Sequence, residues 1–288
     1  MKPEKIDRRR FLQTSLVGSS AAWAAASAGG HAFGAVTKPE HEPDGGLKFG
    51  IASYTFRNFT LDQTIEMTKQ AGFKYINLKD VHLPLKSTAA QRQEARQKIE
   101  AAGLKLMGGG VISMKNDEAE IQHIFEYAKE AGMPVIVASP DPDALDLVEK
   151  KAGEFNILIA IHNHGPGDKT YPSPMDVFAS VKDRNPLMGL CIDIGHTVRL
   201  GVDPVECIDR CGNRLHDLHM KDETKAAKDG TPTELGRGVI DIVGVLKALS
   251  ARKFPYHIGL EYEANATNPL PYVMECAGYL RGAMAAMA

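Results

Sequence analysis

Four segments in the second half of the sequence end apolar runs with residues that can bind a metal ion or move a proton. They are AIHNH at 160–164, CIDIGH at 191–196, LHMKD at 218–222 and LEYE at 260–263. Because side chains alternate along a β-strand, the residues that share the inward face follow from the spacing. These residues are His162, Asp193, His219 and Glu261. The sequence therefore predicts two imidazoles and two carboxylates at one place.

A divalent cation would explain why such groups are gathered together. Carboxylates buried without compensating charge cost several kcal/mol each. Two imidazole nitrogens and two carboxylate oxygens suit Mn²⁺, Fe²⁺, Co²⁺ or Zn²⁺ better than Mg²⁺ or Ca²⁺, which prefer oxygen ligands. We therefore predict a metal site, with Mn²⁺ as the expected ion. His164 shares the predicted face of His162 and is an alternative ligand, which would leave His162 to the substrate.

The elements that must position these residues alternate regularly. Eight short apolar runs between residues 47 and 263 are separated by amphipathic segments, several of which end in Gly as helices do. Eight strand–helix units in a segment of about 240 residues fit a single-domain (β/α)8 TIM barrel, in which active groups follow the carboxyl ends of strands. An open doubly wound sheet is the alternative. SYTFRNFT at 53–60 lacks the glycine-rich phosphate turn usual in that fold.

The four motifs, in this order on the fifth to eighth predicted strands, resemble the xylose isomerase-like TIM barrels. This superfamily of sugar phosphate isomerases and epimerases also includes the apurinic endonuclease branch. DIGH at 193–196 and HMKD at 219–222 are the most telling part of a resemblance that covers essentially all of residues 47–288. For relatives of the tagatose-epimerase type, it implies metal ligands Glu, Asp, His and Glu. The corresponding residues here are His162, Asp193, His219 and Glu261.

His162 departs from this pattern, because the family usually has a carboxylate there. The resemblance implies removal of a proton α to the carbonyl of a keto-sugar, with a metal stabilising the enediolate oxygen. In the epimerases, both glutamates also act as acid and base on opposite faces of the sugar carbon. We expect a metal-dependent isomerase or epimerase. The alternatives are a lyase that cleaves 3-keto-glycosides by β-elimination and, in another class, a non-catalytic sugar-binding module.

Other polar residues near the predicted strand ends are candidates for the chemistry. The expected acid–base groups are Glu261, Lys79 and His164. The expected substrate-binding groups are His196, Lys221, Tyr54 and His82. Lys221 and Asp222 directly follow the predicted ligand His219, so we also expect this charged pair to orient it.

The first 35 residues differ in composition from the rest. DRRRFLQTS at 7–15 is followed by a weakly apolar run of Ala, Ser and Gly, which resembles a twin-arginine export signal. The run has too many Ser and Gly residues for a membrane anchor. We expect a signal at 1–35, a linker at 36–46 and a barrel at 47–288 that is periplasmic or otherwise exported and has no stable membrane anchor.

Composition narrows the partners. The 288 residues carry a formal net charge of -2, which offers no basic surface to nucleic acid, so the expected partner is a small sugar or glycoside. The four cysteines are expected to be buried, since Cys207 and Cys211 lie one helical turn apart, too far for a relaxed disulfide. The sequence does not determine the oligomeric state.

Overall fold

Eight parallel strands close into a barrel in the computed structural model, which describes residues 45–288. The predicted signal at 1–35 and all but the last two residues of the predicted linker lie outside the described residues. The strands are β1 (Lys48–Ala52), β2 (Tyr75–Leu78), β3 (Lys105–Met114), β4 (Val135–Pro140), β5 (Leu158–His162), β6 (Met188–Asp193), β7 (Leu215–Met220), β8 (Asp222–Glu223), β9 (Pro232–Thr233) and β10 (His257–Leu260).

The order around the barrel is β1-β10-β7-β6-β5-β4-β3-β2, while β8 and β9 form a separate antiparallel hairpin. Each barrel strand thus lies beside the barrel strand that precedes or follows it in the chain. The predicted TIM barrel is confirmed, and the open doubly wound sheet is not adopted.

Helices surround the barrel, and local capping explains where several begin and end. Thr60 and Gln63 form a reciprocal capping box at the start of α1, and Gly132 ends α3 at φ 76°. The described helices are α1 (Leu61–Gln70), α2 (Ala89–Ala101), α3 (Glu118–Ala131), α4 (Leu145–Phe155), α5 (Pro174–Val181), α6 (Ile194–Val198), α7 (Pro204–Cys211), α8 (Ile242–Ala251) and α9 (Leu270–Met287). Among them, none is both long and apolar enough to cross a bilayer.

The apolar core has two parts, as the alternation along the strands requires. The larger part lies between the barrel and the helices and includes Ile159 and Ile161 of β5. The smaller part includes Ala160 and Cys191 and fills the barrel interior. His162 and Asp193 follow these two residues by two positions, so they point to the same interior. All four cysteines lie in the described range and are buried and unpaired, as expected.

A polar layer lies deeper in the barrel, one pleat below His219. Asn77 Nδ2 donates to Asp217 Oδ2 at 3.3 Å, and His257 Nδ1 lies 3.5 Å from the same oxygen. The Cys191 thiol lies 3.8 Å from Asp217 Oδ1. The interior is therefore not wholly apolar, and Cys191 lies between this layer and the strand ends.

Gly50 of β1 is packed too closely for a side chain. A Cβ there would overlap the backbone carbonyl of Tyr75 on β2 and lie 2.5 Å from His257 Nε2. We expect Gly50→Ala to lower the free energy of unfolding by about 1–3 kcal/mol, the usual cost of overpacking, measured by urea denaturation. Gly278→Ala is the control, because its Cβ would meet open space on α9. Equal stability of the two variants would contradict the packing of β1.

Candidate metal centre

The four predicted ligands converge where β5, β6, β7 and β10 end. One ligand atom from each of His162, Asp193, His219 and Glu261 lies within 4.8 Å of all the others. His219 Nδ1 is 3.1 Å from His162 Nε2 and 3.1 Å from Glu261 Oε2. All four residues are buried, and the most exposed, Glu261, is 9% exposed. The two imidazoles and two carboxylates are therefore already close enough together to bind one cation.

Asp193 serves two structural purposes with its two carboxylate oxygens. Oδ1 accepts a hydrogen bond from the His196 backbone N–H at 2.8 Å and caps the short helix α6. Oδ2 faces the cluster, 3.4 Å from His162 Nε2. The same carboxylate thus points one oxygen at the cluster and fixes the helix that carries His196.

Asn163 holds the ends of β5 and β6 together, a role that the sequence analysis missed. Its Oδ1 accepts from the Asp193 backbone N–H at 2.9 Å, and its Nδ2 donates to the Asp193 carbonyl and to Thr197 Oγ1, both at 3.3 Å. The only sequence signal for this role is the position of Asn163 between His162 and His164, which places its side chain on the opposite face of the strand end. Asn163 therefore fixes the spacing of two predicted ligands without facing the cluster.

Lys221 supplies positive charge from within the cluster. Its Nζ lies 3.0 Å from Asp193 Oδ2 and 2.8 Å from Glu261 Oε2, and it also pairs with Glu263. The residue is only 3% exposed. This position corrects the expectation that Lys221 binds substrate, because its ammonium is enclosed by three carboxylates.

The two histidines of the cluster have opposite protonation tendencies. Burial lowers the pKa of His162 to about 3, so its imidazole is neutral at physiological pH. Burial also opposes a charge on His219, but the neighbouring Cys191, Glu261 and Asp193 together raise its pKa well above the usual value. His219 therefore carries a proton that can be donated from Nδ1 toward His162 Nε2.

The carboxylates stay ionised although they are buried. Burial alone would raise the pKa of Asp193, but His196 and Lys221 hold it well below its usual range. His219 and Lys221 do the same for the pKa of Glu261. The cluster is therefore a network of mutually dependent charges rather than a set of independent groups.

The charge and the unsatisfied atoms of this network fit a divalent cation. With Glu263 included, three carboxylates face two cations, Lys221 and protonated His219, which leaves an excess of negative charge. Among residues 45–288, no hydrogen bond of good geometry reaches Asp193 Oδ2 or His162 Nδ1. A mixed set of imidazole and carboxylate donors suits Mn²⁺, Fe²⁺, Co²⁺ or Zn²⁺.

A cavity of about 300 Å³ opens beside the cluster. It brings together most of the residues that the sequence analysis proposed for chemistry, and adds Val111 and Glu263. The lining residues are Tyr54, Lys79, Val111, His162, His164, His196, Glu261 and Glu263. A small molecule in this cavity would touch two of the four cluster residues directly.

The sequence pattern of one protein family matches most of the chain. Residues 65–281 match the xylose isomerase-like TIM barrel family. The chain belongs to this family. A similar solved structure is that of an uncharacterised protein from Parabacteroides distasonis, which is 26% identical at a TM-score of 0.64 and covers 82% of this chain and 98% of its own.

Some of the proteins that this chain resembles have names that state an activity. Inosose dehydratase from Clostridium beijerinckii is 27% identical over 157 residues, which are 48% of this chain and 52% of the relative. The match thus spans about half the length of the curated relatives. The structure of 3-keto-D-glucoside 4-epimerase from E. coli has the same fold, with a TM-score of 0.67, 16% identity and coverage of 82% of this chain and 99% of its own.

Within the family fold, Lys79 and His164 lie on the cavity wall near the cluster. The Lys79 Nζ donates to the Val111 carbonyl at 2.9 Å. The His164 Nδ1 is 3.6 Å from Asp168 Oδ2, and burial lowers the pKa of this imidazole. Asp168 Oδ1 accepts from the backbone N–H groups of Thr170 and Tyr171. A neutral imidazole backed by a fixed carboxylate is therefore available at the cavity.

Asp222 does not pair with Lys221 or orient His219, contrary to expectation. Its carboxylate accepts hydrogen bonds from backbone N–H groups of the segment after β9. The donors are Gly236 at 2.9 Å, Gly238 at 3.0 Å and Ile240 at 3.1 Å. Asp222 therefore fixes the conformation of this loop.

His82 does not line the cavity, which corrects its expected role in substrate binding. Its Nδ1 lies 2.8 Å from Ser53 Oγ, and its Nε2 lies 3.0 Å from Thr64 Oγ1 and 3.2 Å from the Phe56 carbonyl. Both ring nitrogens are thus engaged inside the protein. The residue borders a separate cavity of about 360 Å³ beside α1 and α2.

The raised pKa of His219 predicts how metal affinity depends on pH. A cation must displace the proton of this imidazole, so lowering the pH favours the free protein and weakens binding. We expect the Kd for Mn²⁺ to fall about tenfold for each unit by which the pH rises, as long as His219 stays protonated in the free protein. Electron paramagnetic resonance of free Mn²⁺ measures this slope. His82→Ala should keep it, because His82 lies away from the cluster, and a flat profile would contradict the assignment.

The position of His82 predicts an effect on stability without an effect on the cluster. We expect His82→Ala to lower the free energy of unfolding by about 1–3 kcal/mol, because Ser53 and Thr64 lose a buried partner. Its Mn²⁺ affinity should equal that of the unaltered protein. Thermal unfolding and metal titration on one preparation check both statements. Weakened metal binding would show that His82 contributes to the metal site after all.

Proposed function

We propose that the protein is a divalent-metal-dependent enzyme that removes a proton α to the carbonyl of a keto-sugar, as an isomerase or epimerase. The main support for this proposal is a buried cluster of two imidazoles and two ionised carboxylates. It lies beside a cavity lined by neutral His164 and by Lys79. The sugar-related relatives support an enzyme of this class. A non-catalytic binding module would not need a base and an ammonium group around the same cavity.

The proposed ligands are His162, Asp193, His219 and Glu261. A cation held there would polarise the substrate carbonyl and stabilise the oxygen charge that develops as the proton leaves. Glu261 lines the cavity as an ionised carboxylate, so it is positioned to accept that proton. Lys79 is held at Val111 and can donate a hydrogen bond to a second substrate oxygen.

His164 and His196 provide the remaining polar wall of the cavity. The ring centroids of His162 and His164 are 4.5 Å apart, and those of His164 and His196 are 6.2 Å apart. His164 is neutral when its pKa is lowered, so it can accept a proton or, once protonated, return it. We assign His164 as the second acid–base group and His196 and Tyr54 as substrate-binding groups.

β-Elimination is the second candidate, and His162 favours it. This imidazole stands where the family usually has a glutamate, so the two faces of the cavity are chemically unequal. Removal of the α-proton followed by loss of a group from the next carbon would release an aglycone from a 3-keto-glycoside. The similarity to inosose dehydratases supports this alternative, since a dehydratase expels water.

The twin-arginine signal proposed at residues 1–35 favours a substrate without phosphate, since an exported enzyme meets few phosphorylated intermediates. The proposed substrate is a free keto-sugar or a keto-glycoside.

Incubation in D₂O with keto-sugars, 3-keto-glycosides and inosose tests this proposal. For Mn²⁺-loaded protein, we expect deuterium at the carbon beside the carbonyl. Glu261→Gln should lower the exchange rate by about 10²-fold or more, because a positioned base contributes at least that much. His82→Ala is the control and should exchange normally.

The products separate the two candidates. Exchange without release of a group indicates an isomerase or epimerase, whereas release of an aglycone or of water indicates a lyase. Absence of both with Mn²⁺, Fe²⁺, Co²⁺ and Zn²⁺ would contradict the proposed function.

A further inference from the structure

The two histidines of the cluster belong to a second set of donors. His162, Cys191 and His219 also place one ligand atom each within 4.8 Å of one another. This set contains a thiol in place of the two carboxylates. The imidazoles are thus shared by two groups of different chemical character.

Cys191 lies on the deeper side of the imidazoles. It precedes Asp193 by two residues on β6, so its side chain faces the same interior. Two residues of strand place it roughly 7 Å farther from the barrel mouth than Asp193. Cys191 is 1% exposed and belongs to the small apolar cluster of the barrel interior. The carboxylates therefore approach the imidazoles from the barrel mouth, and the thiol approaches from the barrel interior.

We propose that His162, Cys191 and His219 form an alternative site for a thiophilic divalent cation, of which Cd²⁺ is the probe. Thiolate and imidazole are the donors that such ions prefer, whereas carboxylate oxygen suits Mn²⁺. Because both sets use the same imidazoles, only one can be occupied at a time. A thiophilic ion would therefore exclude Mn²⁺ from the proposed catalytic set.

Binding at this site breaks two bonds to hydrogen. The S–H bond of Cys191 and one N–H bond of protonated His219 break, sulfur–metal and nitrogen–metal bonds form, and both protons pass to the solvent without oxidation or reduction. The thiolate is the form of cysteine that binds a metal, so the buried thiol gives up its proton to the solvent when the cation binds.

The inference goes beyond the proposed reaction, because it concerns which ions the imidazoles accept. A cation held by His162, Cys191 and His219 would lack Glu261 as a ligand. Thiophilic ions should therefore inhibit a Mn²⁺-dependent reaction even though they bind firmly. The relative amounts of thiophilic ion and Mn²⁺ therefore determine how much of the protein holds Mn²⁺ and is active.

Titration of the full chain with Cd²⁺ tests the inference through the ultraviolet absorption of the cadmium–thiolate bond. We expect this band at one equivalent in the unaltered protein and its loss in Cys191→Ser. Cys207→Ser is the matched control, since Cys207 is also buried but lies on α7, and it should keep the band. Glu261→Gln should keep it as well, because the thiol-containing set lacks that carboxylate.

Mn²⁺ affinity separates this inference from the proposed function. Cys191→Ser should bind Mn²⁺ as the unaltered protein does, while its Cd²⁺ affinity falls about tenfold or more. If Mn²⁺ does not bind to any form, the proposed reaction fails, but the cadmium–thiolate band still tests the second site. A band that persists in Cys191→Ser, or that never forms, would overturn the inference.

A second measurement covers the case in which Cys191→Ser does not fold. The ¹¹³Cd resonance of the unaltered protein distinguishes sulfur ligation from ligation by nitrogen and oxygen alone. A sulfur-ligated resonance that remains in Cys207→Ser supports the inference. A resonance typical of nitrogen and oxygen donors would overturn it.

Discussion

Two buried carboxylates, Asp193 and Glu261, can remain ionised in this cluster only if positive charge lies within a few ångströms. Lys221 and protonated His219 provide that charge at the end of β7, and Asp193, Glu261 and Glu263 surround them. Removing any one partner would leave another buried and uncompensated, which costs more than the pair contributes. The barrel strands must therefore end in register for the network to form, so the fold and the site depend on each other.

The fold followed from the sequence because its main signals are local. Strand runs such as VIVASP at 135–140 and helix caps such as Thr60 are read within a few residues, and eight repeats leave few topologies. The short hairpin of β8 and β9 was not predicted, since two-residue strands carry no alternation. The roles of His82 and Asp222 were also missed, because they depend on irregular loops with no periodic pattern.

The site was predictable as far as side-chain direction is set by the strand. Alternation along β5, β6 and β7 placed His162, Asp193 and His219 together. It could not show that Lys221 would turn toward carboxylates from two other strands, or that Asn163 would join β5 to β6. Those contacts depend on the distances between strands, which no local pattern contains. Cys191 was read only as apolar for the same reason.

The double use of Asp193 limits how this position could change during evolution. Asparagine would keep the helix cap of α6 but lose the negative charge, whereas glutamate would keep the charge on a side chain one methylene too long for the same cap. Position 162 has no such second duty to the backbone, and an imidazole there coexists with the rest of the network. Position 162, at the end of β5, can therefore accept other ligand types during evolution, whereas position 193, at the end of β6, is restricted to aspartate.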